Sequence, residues 1–201
     1  MNIDNLFPTP IGMDKLPKKL TAAQLRFLTT QQMQNNADNL RSQNSYILDS
    51  KELLDLRNEL LKIVRKYFTI VHAPANDVDV YITQSWVNFT QPGEHHQLHT
   101  HSNSFISGVF YIHSEGETDK IMFHKNTHEF IQFTAPTTWN AYNSRSWWYP
   151  VNTGDVILFP SNLAHEVPAT TSSSNRISLA FNVFLKGRLG DYEKLNELKL
   201  T

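Results

Sequence analysis

A mainly β fold, an antiparallel sandwich or barrel carrying supporting helices, is what the sequence predicts, on three observations. From Val78 onward the chain runs in short stretches rich in Val, Ile, Phe, Tyr and Thr, at 78–90, 104–113, 119–125, 128–134, 155–160 and 176–185. Pro, Gly, Asn and Ser clusters separate them, which is the punctuation of antiparallel strands. Before Val78 the texture is helical, and 201 residues at 40% hydrophobic supply one core rather than two. The expected organisation is a single domain over 1–201, with 1–77 as mostly helical support, 78–188 as the β core and 189–201 as a C-terminal tail.

The elements follow in order. Thr21 stands three residues before Gln24 and opens an Ala- and Gln-rich run, so a capping box should start a helix reaching about Asn36. Asn35 to Asn44 reads as loop. Ser50 precedes Leu53, Leu56, Leu60, Ile63, Val64, Tyr67 and Phe68, whose 3-and-4 spacing lays one apolar stripe along a helix of about 18 residues that packs on a sheet face. His72 to Asp77, with Pro74, reads as the turn into the strands. Thr170 to Ser174 is a polar hairpin loop, and the Glu-, Lys- and Leu-rich stretch from Leu189 to Thr201 suggests a short helix.

Composition narrows the chemistry. The formal charge is -1 with no run of like charges, so no nucleic-acid arm is indicated. Apolar runs stop at four or five residues, far short of the roughly 20 that cross a bilayer. Met1 to Leu16 has no basic region ahead of an apolar block, so a cytoplasmic location is the expectation. With no cysteine, disulfides, thiolate metal sites and a Cys nucleophile are excluded. There is no Gly-rich phosphate loop and no Gly-x-Ser-x-Gly elbow.

What remains is histidine. Four of the nine stand at 95, 96, 99 and 101. His99 and His101, two apart on an extended chain, face the same way with Cα atoms about 6.5 Å apart, close enough to share one ion at about 2.1 Å from each nitrogen. His165, which follows the strand Asp155 to Pro160, is the best third donor, and imidazole alone does not choose among Fe, Zn, Cu and Ni. His95 and His96 read as loop residues, and His72, His113, His124 and His128 as structural or exposed. Trp147-Trp148-Tyr149 reads as core or loop packing. Arg176 opens the last β run and shares a strand face with Ser178, so a guanidinium fork and a hydroxyl can hold a carboxylate beside the metal. Ser107 and Tyr111 on one strand, and Trp86 and Asn88 on another, are wall candidates of second rank.

The runs His99 to Ile112, Gly154 to His165 and Arg176 to Asn182, opened by Leu6-Phe7-Pro8-Thr9-Pro10-Ile11, resemble the 2-oxoglutarate/Fe(II) oxygenase family of bacteria and tailed phages over nearly the whole chain. The resemblance implies a double-stranded β-helix, the jelly roll of cupin-like proteins, with an iron site in its mouth. It implies His99 and His165 as ligands and Arg176 as the anchor for the far carboxylate of 2-oxoglutarate. The wider superfamily uses His-x-Asp or His-x-Glu for the near pair, whereas position 101 is His. Either His101 completes a three-His site or water takes the carboxylate's place. The turn His124-Lys125-Asn126 also departs from the family's acidic or Pro-containing one.

The expected function is therefore an Fe(II)/2-oxoglutarate-dependent oxygenase acting with O2 on an organic substrate that the sequence does not name. Oligomeric state is likewise open. Two alternatives stand beside it: a cupin-like three-His metalloenzyme that does not use 2-oxoglutarate, and a non-catalytic jelly-roll binding protein. Arg176 separates the first two, and metal content separates the third.

Overall fold

The computed structural model describes residues 1–75, 77–125 and 135–200. The expected strand 128–134 and His128 lie outside them. In chain order the elements are β1 (Gly12–Lys15), α1 (Ala22–Thr29), β2 (Met33–Asn36), β3 (Asn39–Ser42) and α2 (Leu54–His72). Then come β4 (Val78–Thr90), β5 (His96–His99), β6 (Ile106–His113), β7 (Lys120–His124), β8 (Ser146–Pro150), β9 (Asp155–Pro160), β10 (His165–Val167), β11 (Arg176–Leu189) and β12 (Leu198–Leu200). Two antiparallel sheets result, one ordered β1-β9-β6-β11-β4-β3-β2 with β12 beside β11, the other β5-β10-β7-β8. This is the jelly roll.

The larger sheet buries both faces. Its outer face receives α2 through Leu56, Leu60, Ile63, Val64, Tyr67 and Phe68, which meet Val80, Val87, Phe110, Leu158, Leu179 and Phe181. Its inner face meets the smaller sheet through Tyr111, Ile157 and Phe159 against Ile121 and Phe123. That double burial is why Val156-Ile157-Leu158-Phe159 reads as an unbroken apolar run: alternate residues serve opposite cores. On β6, Gly108 admits the Phe181 ring, which an added Cβ would strike.

A β-bulge decides which way β4 faces. Ser85 pairs with Phe181 and Ile82 with Val183, so Thr83 and Gln84 together oppose Asn182. The extra residue reverses the alternation. Val80 and Ile82 point to the helix core before it; after it Val87 does, and Trp86, Asn88 and Thr90 line the space between the sheets.

Several expectations need correction. The capping box is present, with Gln24 N donating to Thr21 Oγ1 and Thr21 N to Gln24 Oε1, yet the helix ends at Thr29. The polar stretch after it is a hairpin laid on the edge of β4, Leu40 opposite Phe89 and Arg41 opposite Asn88. Backbone pairing with a neighbour recruits residues whose own pattern names no strand. For the same reason the tail is no helix: Leu198 to Leu200 pair with the overhanging end of β11. Trp147 and Trp148 lie on β8, and both are exposed rather than core.

Candidate metal and cosubstrate site

The three candidate histidines come together. His99 closes β5 and lies directly across from His165, which opens β10, with ring centroids 4.2 Å apart. His101 stands just beyond the end of β5, where its backbone N donates to Ser161 O at 3.0 Å. Its ring lies parallel to that of His165 at 5.2 Å and over Trp86 at 6.0 Å. The three ligand nitrogens fall within 4.8 Å of one another.

Their tautomers follow from their neighbours. His99 Nδ1 is 2.7 Å from Gln97 O, and His165 Nδ1 is 3.0 Å from Leu163 O. A carbonyl only accepts, so in each ring Nδ1 carries the proton and Nε2 presents its lone pair. Burial holds the rings neutral: it takes His165 down to about 3 and His101 to about 4, and lowers His99, with neighbouring imidazoles adding to the effect on His165 and His101. Neutral imidazoles are the form that binds metal. All three donors are neutral, so the departure at position 101 yields a three-His cluster with no carboxylate among the described residues.

A cleft runs from these rings into the sandwich, lined by Trp86, Asn88, Ser107, Tyr111, Arg176 and Ser178 among others. Arg176, Ser178 and Ala180 share one face of β11, as the spacing predicted. At the far end Arg176 Nη1 is 3.2 Å from Asp119 Oδ1, with both side chains 3% exposed, and Nη1 also donates to Pro168 O at 3.3 Å. Asp119 is held in turn by Glu115 N donating to Oδ2 at 2.9 Å. This leaves Arg176 Nη2 buried with no partner among the described residues, and the Tyr111 hydroxyl is in the same condition. Burial pushes the Tyr111 hydroxyl's pKa up, so it remains a donor.

An unpaired guanidinium arm and an unpaired phenol facing one cleft await an acceptor, since a buried donor left unmade costs about 1–3 kcal/mol. A 2-oxo dicarboxylate fits: one end for a metal on three imidazoles, the other for the Arg176 and Tyr111 donors. The fork expected to be fully available has one arm committed to Asp119, a residue no motif announced.

The remaining candidates divide. Asn88 lines the cleft, its Oδ1 buried without a partner among the described residues. Ser178 lines it too. Ser107 lines it, but its hydroxyl is bonded to Ser161 Oγ at 2.9 Å, and Ser161 donates onward to Ser104 Oγ at 2.8 Å, a chain that ties the His-bearing turn to β6. His96 was misjudged as loop. It lies on β5 with its ring 4.4 Å from that of His99, in the cleft wall, and burial lowers it to about 4. His124 bonds Glu166 at 3.1 Å, and His72 packs against Phe68 and Phe105, so both are structural as expected.

Residues 84–182 match the family described as "Putative 2OG-Fe(II) oxygenase". Solved structures agree in fold. An oxidoreductase of the 2OG-Fe(II) oxygenase family from Burkholderia pseudomallei superposes with TM-score 0.60 at 12% identity, over 86% of this chain and 84% of that one. HygX from Streptomyces hygroscopicus, solved with nickel, 2-oxoglutarate and hygromycin B, gives 0.59 at 13% over 87% and 82%. A Pseudomonas putida prolyl-4-hydroxylase gives 0.56 at 13% over 87% and 92%. No functionally curated protein matches the chain in sequence. The stretch holding every candidate site residue thus matches that family's model in sequence, on the fold these solved structures share.

Proposed function

We propose that this chain, whose residues 84–182 carry the 2OG-Fe(II) oxygenase match, is an Fe(II)/2-oxoglutarate-dependent oxygenase in which His99, His101 and His165 hold the iron. One observation carries the reading: three neutral imidazoles converge at one end of a cleft whose other end offers two buried donors with no partner among the described residues, Arg176 Nη2 and the Tyr111 hydroxyl. Iron and 2-oxoglutarate, when bound, supply the oxidative decarboxylation that lets O2 oxidise an organic substrate.

The chain's own residues bind, orient and exclude water. Arg176 Nη2 and Tyr111 take the far carboxylate through charge-assisted hydrogen bonds, and Ser178 stands beside them on β11. Asp119 grips the other guanidinium arm and so aims the free one. The Gln97 and Leu163 carbonyls fix two imidazole tautomers, and Phe159, 4.5 Å from the His165 ring, seals the metal end against the sandwich core. Such an enzyme works where Fe(II) and 2-oxoglutarate are both maintained, in the cytoplasm.

Anaerobic titration with Fe(II) and 2-oxoglutarate tests this through the visible metal-to-ligand charge-transfer band that a chelated keto acid produces. The band should appear in the wild type and vanish in Arg176→Ala and His165→Ala. Metal uptake without a band overturns the 2-oxoglutarate assignment in favour of a three-His metalloenzyme of another kind. Neither band nor metal uptake leaves a jelly-roll binding protein.

A further inference from the structure

The committed arm of Arg176 is gripped from two loops at once. Nη1 donates to Asp119 Oδ1 at 3.2 Å and to Pro168 O at 3.3 Å, while Nη2 is buried with no partner among the described residues. Asp119 closes the 114–119 turn between β6 and β7, and Pro168 opens the 168–175 loop that leads into β11. Where Nη2 points therefore depends on how the turn and the loop are held against each other.

Glu115 joins them. Its backbone N donates to Asp119 Oδ2 at 2.9 Å, and its backbone carbonyl accepts from Asp119 N at 2.7 Å. Its carboxylate reaches across to the loop, where Ser172 Oγ donates to Oε2 at 3.0 Å and Ser174 Oγ donates to Oε1 at 2.8 Å. The loop is folded to offer both hydroxyls together, since Ser172 N donates to Thr170 Oγ1 at 3.1 Å and Ser174 N to Ser172 Oγ at 3.0 Å. Each carboxylate oxygen thus takes one hydroxyl, while the same residue's backbone braces the aspartate that holds the guanidinium. Glu115 itself is exposed and lies outside the cleft lining.

We infer that Glu115 is a positioning residue for the cosubstrate, clamping the Pro168 loop to the Asp119 turn so that the free arm of Arg176 stays aimed at the far carboxylate; this rests on the oxygenase reading of the site. A guanidinium holds a carboxylate directionally, so a small displacement of its anchors costs affinity although Glu115 touches neither partner. The bonds that orient the imidazoles run through Gln97, Leu163 and Ser161 and involve neither Glu115 nor the two serines. The clamp therefore acts on 2-oxoglutarate and leaves the metal alone.

The test uses the full chain without a histidine tag, with Co(II) absorption reading metal affinity and the anaerobic Fe(II) charge-transfer band reading 2-oxoglutarate affinity. Glu115→Ala should weaken 2-oxoglutarate about three- to tenfold, the worth of one ordinary hydrogen bond, and leave Co(II) affinity at the wild-type value. Glu115→Gln, whose amide can accept from one hydroxyl and donate to the other, should recover most of that loss. Ser172→Ala with Ser174→Ala should weaken 2-oxoglutarate as Glu115→Ala does, and adding Glu115→Ala to that pair should cost nothing further, because all three changes break one clamp. If Glu115→Ala fails to fold, the serine pair decides alone. Wild-type 2-oxoglutarate affinity in Glu115→Ala or in the serine pair, losses that add when the three are combined, or an equal loss of Co(II) affinity overturns the inference. A wild-type chain that binds Co(II) but gives no band with Fe(II) and 2-oxoglutarate overturns the oxygenase reading, and this inference with it.

Discussion

Tyr111→Phe should move stability and cosubstrate affinity in opposite directions. The Tyr111 ring is 1% exposed and packs with Ile121, Phe123 and Phe159, and the substitution keeps all of that contact. It removes only a hydroxyl that is buried without a partner among the described residues. Such a group carries a desolvation penalty of about 1–3 kcal/mol, so the metal-free variant should match the wild type or gain up to about 1 kcal/mol. A gain of that size raises the melting temperature by about 2–4 °C in a chain of this length. With 2-oxoglutarate bound the account reverses, since the hydroxyl then donates to a carboxylate, a bond worth about 1.5–3 kcal/mol. Its loss should weaken 2-oxoglutarate by about ten- to a hundredfold at fixed Fe(II). Thermal melts of the free protein and anaerobic titration of the charge-transfer band read the two effects separately. A free variant destabilised by more than about 1 kcal/mol, with 2-oxoglutarate affinity unchanged, would show that the hydroxyl serves the core and that the cleft's acceptor binds elsewhere.

Two further outcomes concern the scaffold. Gly108→Ala drives a methyl group into the Phe181 ring, itself 1% exposed, and overpacking of this kind should cost about 1–3 kcal/mol in a denaturant melt; a silent substitution would mean that β6 and β11 are less tightly joined than their register implies. Asp79 is held down to about 2 from an ordinary 3.8, first by its hydrogen bonds from the Arg65 guanidinium. A depressed carboxylate contributes stability above its unfolded pKa and loses it as pH falls through the folded one, so the wild-type advantage over Asp79→Asn should fade between about pH 4 and pH 2. The pair's side chains are 46% and 37% exposed, which limits that advantage to under about 1 kcal/mol; equal acid profiles for the two proteins would remove the ion pair from the account.

Much of the molecule was legible in one dimension because its signals are local. The stripe from Leu53 to Phe68 is a helix wherever it packs, and β4 and β9 begin and end where their composition changes. Period-2 spacing put Arg176 beside Ser178 and Ser107 beside Tyr111, and each pair does share a face. What was missed is contextual. The residues from Met33 to Ser42 carry no alternating pattern, and they are strands only because β4 offers an edge to pair with. His96 looked like loop because β5 is four residues long and is held by β10 rather than by its own composition.

By itself, then, the sequence determined which side chains are available: a cluster of imidazoles, an arginine opening the last β run, no thiol, and apolar runs that must be buried twice. Only the tertiary structure decided how they are used. Cross-strand pairing, which links residues 66 apart, put His165 opposite His99. The bulge at Thr83-Gln84 turned Trp86 and Asn88 into the cleft. An acidic turn far from β11 in sequence placed Asp119 on one arm of Arg176 and left the other free, because burying a lone guanidinium is too costly for the fold to leave it without a carboxylate.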